Sequence, residues 1–230
     1  MGKNKTAQYL KYAIGEILLV VIGILIAISI NNWNENQKLI KNEEELITSL
    51  KEEIKNSIVE IEASIKKNNL YLETVDKLIL GLKLNDKLFN YGEIDLAFNY
   101  SPYSHDSPVL DGIIATNSKA LIKHREQLTD FRLLKNQYKY ISKSQFYLDE
   151  FWNSKVSDFF ITCGFSIGEE KNDNKVTLKE IEFGGYSKKQ FMALLSMKAV
   201  LHEQWKEDKI NALKKSNNIL EFLNQLKKKG

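Results

Sequence analysis

The sequence is short of most things that mark a catalytic or nucleic-acid-binding chain. One cysteine, Cys163, stands in 230 residues, which excludes an internal disulfide and a zinc site built from cysteines alone. Of the 33 basic residues only Arg125 and Arg132 are arginines. The planar guanidinium is the side chain suited to forked contacts with phosphate or guanine, so its scarcity argues against a nucleic-acid partner. Thirty acidic residues leave a net charge of +3, and no strong field steers polyanions to the surface. The three histidines, His105, His124 and His202, have no metal-type spacing with one another or with Cys163. No phosphate-binding glycine pattern occurs around Gly164 to Gly168 or at Gly184-Gly185. Two prolines, Pro102 and Pro108, lie close together. They put one major irregular stretch mid-chain and leave the rest to long helices.

What the sequence has is one apolar run, "GEILLVVIGILIAISINNWNE", residues 15–35. From Tyr12 to Ile30 it gives 19 residues with only Glu16 charged. As a helix that is about 28 Å, close to the roughly 30 Å hydrocarbon core of a bilayer. Lys3, Lys5 and Lys11 precede it, and Tyr9, Tyr12 and Trp33 mark its ends, where amphipathic rings favour the headgroup level. A cleavable signal peptide is the competing reading, with Ala27-Ile28-Ser29 as an approximate cleavage site. Against cleavage, the run is long for a signal core, and the helical pattern passes straight through the cut. Ile22, Ile26, Ile30, Trp33, Gln37, Ile40, Glu44 and Ile47 step by threes and fours. The run reads as a membrane anchor over 12–32, between an N-terminal tail, 1–11, and a domain spanning 33–230. The lysines before it favour a cytoplasmic N-terminus and a periplasmic C-terminal domain in a bacterial inner membrane.

Within the anchor, Glu16, Gly23, Ala27 and Asn34 are spaced by 7, 4 and 7, so all four share one helix face. Gly23-Ile-Leu-Ile-Ala27 is a small-xxx-small pattern that lets helices approach closely, and a carboxylate inside a span is a functional signal. The alternative is that Glu16 reaches the interface and the small residues recur by chance.

The same stretch carries a resemblance. Tyr12 to Ile17 and Asn31 to Glu35 resemble the N-terminal signature of an uncharacterised family of bacterial single-pass membrane proteins, which opens with Tyr-Ala-Ile-Gly-Glu-Ile and closes with Asn-Asn-Trp-Asn-Glu. "LDGIIATNSKALIKHREQL" is similar to that family's helix, small-residue break and second helix. Asn117 and Ser118 stand where Ser-Gly-Asn is common. The resemblance implies a helical, membrane-anchored protein and assigns no activity.

After the anchor, Ile47, Leu50, Ile54, Ile58, Ile61 and Ile65, then Leu72, Val75, Ile79 and Leu82, form a helical stripe with a break or bend expected at Asn68-Asn69. Ser107-Pro108 predicts a helix start, with a short helix to about Thr116. A longer helix is expected from about Glu126 to Phe160, with Leu128, Phe131, Leu134, Tyr138, Ile141, Leu148 and Trp152 near one face. Ser187 and Gln190 form a capping box opening a last helix to about Lys228. Alternation around Val176, Leu178, Ile181 and Phe183 suggests a strand, which Glu93 to Phe98 would pair with. The fold expected is all-α: one transmembrane helix followed by an antiparallel helical bundle with a small two-stranded appendage.

Candidate sites are few. Ser104-His105-Asp106 has the residue types of a hydrolase triad, but adjacent residues do not present triad geometry. Cys163 has no neighbouring histidine to activate it and reads as a passive thiol. His202 reads as a surface or partly packed residue. Phe89, Tyr91, Phe98, Tyr100 and Tyr103 form either a recognition loop or a cap on the bundle core. The function expected is a non-enzymatic, membrane-anchored interaction or sensing module without cofactors. It would have the lipid bilayer and either a second copy or another membrane protein as partners, and no nucleic acid. An accessory subunit of a membrane complex is the alternative, and an exported hydrolase a disfavoured third.

Overall fold

The computed structural model describes residues 3–84, 88–100, 102, 103, 105–116, 125–163, 175–177 and 185–226, though not the side chains of 3–11, 88–91, 116, 125–127, 163 and 175–177. The elements follow in order α1 (Lys3–Leu84), β1 (Leu88–Asn90), α2 (Tyr91–Phe98), α3 (Pro108–Thr116), α4 (Arg125–Phe151), a π-helical turn (Trp152–Val156), α5 (Ser157–Cys163), β2 (Lys175–Thr177) and α6 (Lys188–Leu226). The chain divides into two units, Met1–Ser49 and Leu50–Gly230.

The first unit is helical throughout its described residues. It contains one stretch long and apolar enough to cross a membrane, with a window of mean hydropathy 2.8, none of it buried. Every residue from Tyr12 to Asn42 is exposed.

The second unit is a bundle. The inward face of α1 carries Leu50, Ile54, Ser57, Ile61, Asn68, Leu72, Val75, Leu78 and Leu82, the threes and fours that keep one helix face turned to a core. The helix runs unbroken through Asn68-Asn69, because the amide of Asn68 has partners inside the bundle. The polar interruption in the stripe is a buried contact and not a bend.

The buried side of α6 is a strict heptad series: Phe191, Leu195, Lys198, His202, Trp205, Lys209, Ala212, Ser216, Ile219 and Leu223. It lies antiparallel to α4, as Ser144 meets Asp208 while Tyr138 meets Ser216. It is antiparallel to α1 as well, because Asn68 meets His202 while Leu82 and Phe191 share one apolar cluster.

The described residues between α2 and α3 are not helical. They descend along the bundle: Tyr100 reaches Asp149, the Tyr103 amide donates to Gln145 at 2.8 Å, and His105 meets Ser57 at 3.3 Å. At the foot, Val109 and Leu110 donate their amides to the Glu53 carboxylate at 2.8 and 3.0 Å. That carboxylate satisfies the open N–H groups of α3, whose first backbone bond runs from Asp111 to the Ser107 carbonyl. Lys135 pairs with Asp111 at 2.6 Å and ties α3 to α4.

At the other end, Phe98 sits between Phe160, edge-on at 5.2 Å, and Phe159 and Phe191 at 5.9 and 5.8 Å. The π-helical turn, with the Ser157 amide bonded to the Trp152 carbonyl, absorbs one extra residue so that Val156, Phe159 and Phe160 face this cluster.

The two-stranded appendage exists, with a different partner from the expected one. β2 pairs antiparallel with β1 in the register Leu88↔Thr177, Phe89↔Val176, Asn90↔Lys175. Glu93 to Phe98 is instead part of α2. Its buried residues Ile94, Ala97 and Phe98 are spaced by three and four, which suits a helix and not a pleat. Leu178, Ile181 and Phe183 lie outside the described residues, as do Asn117 and Ser118.

The long helix expected from about Glu126 to Phe160 is interrupted by the π-helical turn, and the last helix opens where expected, while its expected end near Lys228 lies outside the described residues. The capping box closes as Ser187 N–H donates to Gln190 Oε1 at 2.7 Å and Gln190 N–H donates to Ser187 Oγ at 3.3 Å.

Candidate functional site

The core of α6 holds more basic chemistry than a structural helix needs. Lys198, His202 and Lys209 occupy heptad core positions and are 2, 0 and 0 % exposed. The Lys198 ammonium donates to the Asn99 carbonyl at 2.8 Å and lies over the rings of Phe98 and Trp152, at 5.6 and 5.9 Å. The Lys209 nitrogen sits 3.0 Å from the centre of the Trp205 ring and has no hydrogen-bond partner among the described residues. Burial pushes Lys198 down to about 6, with Asp95 opposing, and burial alone pushes Lys209 down to about 7. An isolated ammonium in an apolar site loses its hydration shell without recovering it, so the neutral amine is favoured.

Between the lysines, the Asn68 amide nitrogen donates to the His202 carbonyl at 2.8 Å, and its oxygen faces His202 Nδ1 at 2.6 Å. The amide oxygen can only accept, so Nδ1 carries the proton and Nε2 keeps a lone pair. Burial, reinforced by Lys198 and Lys209, holds His202 down to about 3. His202 Nε2 and the Trp205 indole N–H, like the Lys209 nitrogen, lack hydrogen-bond partners among the described residues. Tyr71 of α1 covers His202 at 5.6 Å, and Tyr100 meets Trp205 edge-on at 6.3 Å.

A second polar cluster lies toward α3. His105 Nε2 is 3.3 Å from Ser57 Oγ, its Nδ1 is 3.9 Å from Glu60 Oε2, and its ring lies 3.9 Å from that of Tyr138. Serine, histidine and carboxylate thus stand in the order of a hydrolase triad. The Ser57 hydroxyl, however, donates its proton to the Glu53 carbonyl at 2.8 Å, so His105 is placed to donate to Ser57 and not to deprotonate it. Ser57 is 2 % exposed and the His105 side chain 5 %. The cluster is a clasp that holds the descending segment on α1. Burial lowers the His105 pKa, with Glu60 and Asp106 opposing.

The residues singled out in the sequence fall as follows. Glu16, Gly23, Ala27 and Asn34 all lie on α1 and are exposed, and a Cβ built on Gly23 meets nothing within 4 Å. Phe98 and Tyr103 are buried, at 0 and 8 % exposure; Tyr100 is half-buried. These three rings therefore fill the bundle interior and do not form an exposed lip. Tyr91 opens α2, but its ring lies outside the described residues, as do the Phe89 ring, the Cys163 thiol and Ser104. His202 is fully buried, against the expectation of a surface or partly packed residue, because Asn68 satisfies its backbone and Nδ1 together. Lys198, Trp205, Lys209, Ser57 and Glu53 were not singled out. The signal was present for α6, since its 4-3-4-3 series passes through both lysines.

Among the described residues no group of three or more histidine, cysteine, aspartate or glutamate side chains could hold a metal ion. No curated protein and no solved structure matches the chain. Residues 16–104, which run from Glu16 of the apolar stretch to the middle of the descending segment, match the model of a family of unknown function, DUF6090.

Proposed function

We propose that this protein is a single-pass protein of a bacterial inner membrane, anchored by residues 12–32, whose helical unit acts outside the cytoplasm as a non-enzymatic interaction or sensing module. The observation that carries the reading is the full exposure of the apolar window of α1. Each buried methylene is worth about 0.8 kcal/mol, so water is a poor solvent for such a surface and a bilayer a good one. Lys3, Lys5 and Lys11 support the cytoplasmic placement of the N-terminus.

In this reading the anchor also pairs. Glu16, Gly23, Ala27 and Asn34 form the face that meets a second copy of the helix. Gly23 has open space around it within the single chain, so leucine there is harmless to the monomer and an effect on association reports on a partner. Cross-linking in mild detergent is expected to give a homodimer that Gly23→Leu and Glu16→Leu weaken at least several-fold and that Leu25→Ile leaves intact. Unchanged yields in both face variants would defeat the pairing. A different membrane protein captured in fixed ratio, with no homodimer, would make the chain an accessory subunit instead.

A further inference from the structure

We propose that the interior of the helical unit is a proton-binding site: Lys198, His202 and Lys209, on the buried face of α6, make the packing of that helix depend on pH. The inference stands on the second unit alone and does not require the membrane reading.

Three bases share one stripe, spaced by four and seven, and among the described residues no carboxylate is in hydrogen-bond contact with any of them. The groups facing them from each neighbour are mostly neutral. From α1 come Asn68 and Tyr71. α2 contributes Asp95, which acts on Lys198 through space. The descending segment gives the Asn99 carbonyl and Tyr100, whose hydroxyl is engaged by Asp149. From the α4 side come Gln137, bonded to the Asp208 carbonyl, and Tyr138, bonded to Ser216, with Trp152 beyond them. Asp208, next to Lys209 in sequence, is committed to Ser144 and Gln204.

A charged Lys198 would therefore sit on one buried face with Asp95 acting only through space, and a charged Lys209 would have no hydrogen-bond partner among the described residues. Opening α6 returns them to water, where they hold protons up to the ordinary lysine range. The sign follows. With both lysines lowered to about 6 and 7, the open state binds more protons than the closed state between there and about 10.5. Closing is thus strongest at alkaline pH and weakens as pH falls through that window. The response levels off near pH 6, where the lysines charge in place, and His202 extends the loss below its unfolded value near 6.5.

The test is hydrogen exchange in the 195–212 stretch of the full-length protein in detergent, at pH 9.5, 8.5, 7.5 and 6.5, corrected for the intrinsic pH dependence. The opening constant is expected to rise by roughly tenfold for each unit fall in pH for each lysine released, and to become flat in Lys198→Met/Lys209→Met. A flat wild-type profile, or an unchanged slope in the double variant, would overturn the proposal. If the double variant does not fold, lysine side-chain NMR of the wild type decides: two lysines titrating near pH 6 to 7 support it, and all titrating near 10.5 overturn it. Loss of the slope on adding sodium chloride would also overturn it, by showing an anion site in place of a proton site.

Discussion

Asn68 shows how one side chain can hold two helices in register. Its amide satisfies both the backbone carbonyl and Nδ1 of His202, and both residues are fully buried. Removing it leaves His202 Nδ1 buried without its partner, at about 1–3 kcal/mol, and takes a second bond from a carbonyl that lies within helix α6. Asn68→Ala is therefore expected to lower unfolding free energy by about 1–3 kcal/mol in urea titrations, while Asn56→Ala, on the exposed side of α1, changes it little. Equal effects from the two would remove the register role. In the sequence Asn68 looked like a flaw in an apolar stripe. Its meaning lay 134 residues away, and no local pattern reports a partner at that distance. Lys198 and Lys209 were easier to reach. Their heptad positions were visible, but lysine is so seldom buried without a partner that the general rule for its type outweighed its position.

Helix ends were the most legible elements. Ser187 with Gln190 and the Ser107-Pro108 step marked the starts of α6 and α3 because caps are local chemistry. Local chemistry did not reveal that Glu53 reaches across from α1 to take the amides of Val109 and Leu110. A carboxylate on two helix N–H groups combines a cap with a favourable dipole interaction, together worth about 1–2 kcal/mol. Glu53→Ala should cost that much in thermal or urea unfolding, against almost nothing for the exposed Glu52→Ala. A null result at Glu53 would mean that α3 is held by the Lys135–Asp111 pair and its own packing. The misplaced strand partner has a related cause. Six residues from Glu93 to Phe98 satisfy a two-residue and a three-to-four-residue period almost equally well, and the aromatic cluster around Phe98 decides between them.

For the whole molecule, the long apolar helix and the helical bundle could be read from periodicity, because a long apolar run and a long amphipathic stripe are properties of the chain itself. The descending segment could be read only as an irregular stretch. The rings at its start, Phe98, Tyr100 and Tyr103, fitted a recognition loop or a cap on the core, and the burial of Phe98 and Tyr103 favours the core. The central claim is that residues 12–32 remain attached and span a membrane with the helical unit outside. One measurement addresses it: express the full chain with Cys163→Ser and Lys228→Cys, treat intact cells with a membrane-impermeant maleimide, and weigh the protein that resists carbonate extraction. The account predicts one full-length species in the membrane pellet, near the 26.6 kDa of the natural sequence plus a single adduct. A full-length species that acquires the adduct only after lysis would reverse the orientation. A carbonate-soluble chain beginning near Ile30 would contradict the anchor itself.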